Sequence, residues 1–142
     1  MTDQFTSFIE VAQHSDFPIQ NLPYGIFSET ADGQRRVGVA LGEWVVDLAA
    51  LEANGFLKIA TDELYFNQPT LNKFIEAGKT NWSKIRAELQ DLLSANTATL
   101  RDNPALRDQV FFKQADVSLH LPVHIPGYTD FYSSKEHATN VG

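Results

Sequence analysis

Between Ile26 and Val46 the chain can reverse direction twice, and this constrains its fold more than any other feature. Ile26-Phe27-Ser28-Glu29 runs into Asp32-Gly33, a dipeptide that suits the positive φ of a hairpin turn. Val37-Gly38-Val39-Ala40-Leu41 follows, and Gly42-Glu43 separates it from Trp44-Val45-Val46. Runs this short, broken by turn residues, predict three consecutive antiparallel strands within residues 1–50. Upstream, Asp16-Phe17-Pro18 and Leu22-Pro23-Tyr24-Gly25 read as loop, because proline fixes φ and removes a donor.

Apolar spacing then changes, and residues 47–113 read as mainly helical. Asp47 is placed to cap a short helix carrying Leu48, Leu51 and Glu52, which Asn54-Gly55 ends. Pro69 suits the first turn of a second helix, with Leu71, Phe74 and Ile75 on one face and Gly78 as its stop. Trp82, Ile85, Leu89, Leu92 and Leu93 form a longer stripe at helical spacing. Pro104 opens one more helix, with Leu106 and Val110 facing inward. The ordinary reading of these stripes is helices packed on the small sheet. Ten Phe, four Tyr and two Trp supply large buried areas, so a core is expected without cross-links, and the chain has no Cys.

Beyond residue 116 the pattern changes again. Val117-Ser118-Leu119-His120-Leu121 alternates like a strand, and Ser133-Ser134-Lys135-Glu136 has the form of a helix capping box. Three of the four His lie here, at 120, 124 and 137. Pro122 argues against a helix that would aim His120 and His124 at one metal, so the ordinary reading is a pair of half-exposed strand histidines. A cap at Ser133 would set His137 near the positive end of a helix dipole, which favours a neutral, basic ring. Asp130, in the loop before it, offers oxygens to a hard cation, and Tyr132 offers a hydroxyl. The ordinary readings are a turn former, a core ring and a solvated helix residue. Arg35-Arg36 is most simply a solvated hairpin end, and no phosphate loop or serine nucleophile elbow is present.

The net charge of −7 argues against nucleic-acid partners, which require Lys and Arg to meet phosphates. No basic patch suits an acidic membrane, and no apolar run approaches the ~20 residues of a spanning helix. A soluble, cytoplasmic protein is expected.

Two stretches carry a resemblance. Asp16-Phe17-Pro18-Ile19-Gln20-Asn21-Leu22-Pro23-Tyr24-Gly25 resembles the opening of the fumarylacetoacetate hydrolase family. Tyr128-Thr129-Asp130-Phe131-Tyr132-Ser133-Ser134, with His137-Ala138-Thr139-Asn140-Val141-Gly142, resembles the start of that family's catalytic segment. Lys135-Glu136 replaces the family's frequent Arg-Gln and keeps the capping logic. The resemblance implies an α+β, mainly β fold: a small SH3-like barrel with helical insertions over residues 1–117, then the start of a β-roll catalytic domain over 118–142. It also implies hydrolysis of the carbon–carbon bond of a β-diketone acid, 4-fumarylacetoacetate, in tyrosine and phenylalanine breakdown. Asp130 would be a ligand of a catalytic Ca²⁺, Tyr132 a substrate contact and His137 the base that activates water. Mg²⁺ is expected as a structural ion, and the expected partners are a carboxy-terminal catalytic domain and a second subunit of a homodimer. In relatives the other ligands lie beyond the position of Gly142, so residues 1–142 alone are expected to be inactive. The alternative is a non-enzymatic SH3-like module for assembly or regulation.

Overall fold

A computed structural model describes residues 6–11, 15–60 and 63–123. Strands Tyr24–Ser28 (β1), Arg36–Leu41 (β2) and Trp44–Asp47 (β3) form the expected antiparallel meander. Gly42 takes φ +58° in the two-residue turn between β2 and β3, a conformation that glycine adopts without steric cost. The β1–β2 connection is longer than a two-residue hairpin. Gly33 closes a turn on the Thr30 carbonyl within it, at 3.0 Å.

Helix Leu48–Ala53 (α1) follows directly, its first turn capped by the Asp47 carboxylate, which accepts from Ala50 N at 3.2 Å. Helices Asn72–Glu76 (α2), Lys79–Leu93 (α3), Ala98–Arg101 (α4) and Pro104–Val110 (α5) come next. The α3 stripe holds except at its first member: Ile85, Leu89, Leu92 and Leu93 are buried, while Trp82 is exposed and donates its indole N–H to the Phe74 carbonyl. Asn103 caps α5 and Pro104 occupies its first turn, where the missing N–H costs nothing.

Three expectations need correction. Pro69 lies outside α2, which begins at Asn72, and Ile75 faces solvent while Leu71 and Phe74 pack inward. Residues 111–113, read as the end of the helical zone, form strand Phe111–Lys113 (β4), paired with β3. The short helix α4 has too few turns to show a period, and it was not anticipated. Strand Ser118–His120 (β5) pairs with β1, giving a five-stranded sheet in the order β4-β3-β2-β1-β5.

Alternate residues separate the two faces of this sheet. Ile26, Val37, Val39, Leu41 and Val46 face the helices and join Leu51, Phe66, Leu89, Leu100 and Val110 in the core. Gly25, Phe27, Arg36, Gly38, Ala40, Val45, Phe112 and Leu119 lie on the other face by register. The sheet curls toward that second face. Strands β1 and β4 would stand ~14 Å apart in a flat sheet, yet the Phe27 and Phe112 ring centroids are 5.6 Å apart. Gly38 permits the closure, because a Cβ there would come within 2.9 Å of the Phe27 ring and 2.7 Å of Val45. The result is an α+β domain built on a half-barrel.

Candidate functional site

Asp130, Tyr132, His137 and His124 all lie outside the described residues. His120 is described, and its Nε2 stands 2.7 Å from Ser28 Oγ. Ser28 donates its hydroxyl hydrogen to the Thr30 carbonyl, so the contact to His120 is met with Nε2 as donor. Ser28 is fully buried, which removes it as a nucleophile open to substrate. The pair fastens β5 to β1. Among the described residues no three of His, Asp and Glu are grouped to hold a metal ion. No helix there is long and apolar enough to cross a membrane.

The family-like stretch 16–25 is structural. Asn21 Nδ2 donates to the Asp16 carbonyl at 2.8 Å, and the Gly42 and Ala40 N–H groups donate to the Phe17 and Pro23 carbonyls. Leu22 is fully buried at φ +41°, a strained conformation for a branched residue. Arg86 on α3 holds this turn by donating to the Asn21 and Leu22 carbonyls at 2.9 and 3.3 Å. Its guanidinium also lies over the Tyr24 ring. Burial raises the Tyr24 phenol above its ordinary value, against the opposing pull of Arg86.

The charged centre of the open face was not anticipated. Arg36, read as a solvated hairpin end, has only 12% of its side chain exposed. Its Nε donates to Asp47 Oδ2 at 3.0 Å, and its guanidinium lies over the adjoining Phe27 and Phe112 rings at 4.5 and 5.3 Å from their centroids. Planar, weakly hydrated Arg suits such ring contact better than Lys. Burial raises the Asp47 carboxyl, and Arg36 together with the Ala50 N–H pulls it partly back. Arg36 Nη1 donates to the Gln34 carbonyl and Nη2 reaches Glu29, so this cation is committed to the fold. Glu52 was likewise missed as an anchor: buried on α1, it accepts from the Tyr65 and Phe66 N–H groups at 2.9 and 3.0 Å. Residue type alone carried no signal for either role.

Beside this cluster the half-barrel forms an open cavity of about 160 Å³. It is walled by Phe17, Pro23, Phe27, Ala40, Val45 and Leu119, with Gly38 behind it. Its polar wall group, Gln114, donates through Nε2 to the Gly42 carbonyl at 2.8 Å. The described residues therefore form a scaffold with an apolar cup.

Residues 20–122 match the family described as Fumarylacetoacetase N-terminal. The chain is 50% identical to a fumarylacetoacetase of Dictyostelium discoideum over 140 residues, covering 96% of this chain and 32% of that protein. It is 51% identical over 140 residues to a fumarylacetoacetase of Caenorhabditis elegans and 49% identical over 138 to one of Homo sapiens. In both cases 96% of this chain and 33% of the relative are covered. The chain thus spans about a third of the length of the curated relatives it matches.

Proposed function

Because the chain belongs to the Fumarylacetoacetase N-terminal family, we propose that it is the scaffold portion of an enzyme that hydrolyses 4-fumarylacetoacetate to fumarate and acetoacetate in tyrosine and phenylalanine breakdown. Near-half identity across almost the whole chain to proteins named fumarylacetoacetase carries this reading. The described residues support a division of labour: they form a sheet-and-helix scaffold in which the polar clusters are spent on the fold. The chemistry then belongs to Asp130, Tyr132 and His137, together with groups from the rest of the polypeptide.

Asp130 and carboxylates supplied by that remainder would hold a divalent cation, Ca²⁺ at the catalytic site, with Mg²⁺ in a structural place. Such a cation, when bound, polarises the diketone oxygens. Tyr132 orients the substrate through its hydroxyl. His137 takes a proton from water as the oxygen adds to the carbonyl next to the fumaryl group. The carbon–carbon bond then breaks toward the acetoacetate side, which takes up a proton, so one water is consumed for two acids released. Ca²⁺ takes six to eight oxygen ligands, and Asp130 supplies at most two, so residues 1–142 alone should turn over no substrate. In the full-length enzyme we place two subunits together as a homodimer in the cytoplasm.

The test is an assay of the full-length polypeptide on 4-fumarylacetoacetate, before and after chelation of divalent cations. Turnover that chelation abolishes and Ca²⁺ restores is expected. His137→Ala should lower kcat by about 10²–10⁴-fold with unchanged thermal unfolding. Unchanged turnover by that variant would remove His137 as the base, and turnover by residues 1–142 alone would overturn the division of labour.

A further inference from the structure

We infer that the open cup of the half-barrel is the docking surface for the remaining two-thirds of the full-length polypeptide, which inserts a large apolar side chain into it. The inference rests on the functional reading above, in which the chain is one portion of a longer enzyme. The helix-facing side of the sheet is already covered by the core residues of α1, α3, α4 and α5. The cup side is not. Its cavity of about 160 Å³ has apolar walls, and voids of roughly this size take one aromatic ring.

The rim makes the same point. Leu119 on β5 is 69% exposed and sits on the cup face opposite Phe27. Leu121, two residues on, is 81% exposed. Leu119 lines the cavity and Leu121 follows it on the same segment, and exposed leucines at such a place mark a contact surface. They also stand on the segment that leads toward residues 124–142 and, in the relatives, toward the unmatched two-thirds of the chain.

The chemistry selects the occupant. Arg36 and Asp47 satisfy each other, and Gln114 is committed to the Gly42 carbonyl, so the walls present no free charge to a polar ligand. A second copy fits poorly, because two like concavities set face to face about a two-fold axis leave both cavities empty. A convex apolar surface from the same polypeptide fills the cup and covers Leu119 and Leu121 together.

Cysteine labelling tests this, since residues 1–142 contain no Cys. Leu119→Cys and, as a second rim probe, Leu121→Cys are made in both residues 1–142 and the full-length polypeptide. Leu64→Cys, at an exposed site off the cup, is the control. Modification of each peptide by a maleimide is followed by mass. In residues 1–142 all three thiols should react at similar rates. In the full-length polypeptide both rim thiols should slow by about tenfold or more while Leu64→Cys does not change. Equal rim rates in the two polypeptides would overturn the inference. Protection that develops in residues 1–142 as concentration rises would overturn it in favour of a second copy. Diketone hydrolysis is measured on the same full-length samples. Turnover with unprotected rim thiols defeats the docking alone, whereas protection without turnover supports the docking and defeats the functional reading.

Discussion

The two faces of the single sheet are written in alternate letters of the same strands and solve different problems. On β2, Val37, Val39 and Leu41 turn toward the helices, and each is buried in a core supplied by distant segments. Their neighbours Arg36, Gly38 and Ala40 turn into the cup, where small size and one stacked guanidinium replace bulk. The helix-covered face gains stability from volume and area. The cup face gains it from one charge pair set against two adjoining rings, and leaves space beside them. A sheet can thus be finished on one side and remain receptive on the other.

The sharpest way to break this comparison is to excavate each side. Leu89→Ala on α3 removes a fully buried side chain from the helix-covered face. It should cost about 2–5 kcal/mol in denaturant unfolding, as large-to-small core changes do. A cost under about 1 kcal/mol would mean that this face is loosely packed.

Arg36→Ala attacks the other side. It leaves Asp47 buried without its cation and uncovers the Phe27 and Phe112 rings. Breaking a fully buried pair costs about 3–5 kcal/mol. Arg36 keeps an exposed edge, so about 2 kcal/mol is expected here by the same unfolding measurement. Arg36→Lys should recover less than half of that loss, because an ammonium lacks the planar face that lies over the rings.

Asp47 offers a finer distinction. Burial raises its carboxyl above the unfolded value, so the folded state holds its proton more tightly. Its contribution to stability is then fully present below the ordinary carboxylate range and declines as pH rises through the raised value. The stability difference between wild type and Asp47→Asn, followed by unfolding across that window, should move against wild type as pH rises. A shift in the opposite direction would mean that Arg36 outweighs burial at this site.

The smallest effect should come from Leu119→Ser. In residues 1–142 this exposed rim position should change unfolding by no more than about 0.5 kcal/mol. A larger loss would show that the rim already packs on something within these residues.

What the sequence determined by itself is what a few neighbouring residues decide. The first three strands, the Gly42-Glu43 turn, the Asp47 cap, most of the α3 stripe and the helix start at Pro104 were legible, because turn chemistry, capping and periodicity act over one or two turns of chain. The family was legible from two stretches, whereas the roles given to Asp130, Tyr132 and His137 rest on that resemblance alone and fall outside the described residues. Tertiary structure decided the rest. Phe111–Lys113 is a strand because β3 offers an unpaired edge, and three residues carry no period of their own. Arg36 is buried because the curl of the sheet brings Phe112 beside Phe27 under its guanidinium, and Glu52 is an anchor because the Tyr65 and Phe66 N–H groups come to it. A charged side chain reads as solvated until its partners are known. Here the named partners arrive from 9 to 76 residues away, and only the folded chain brings them together.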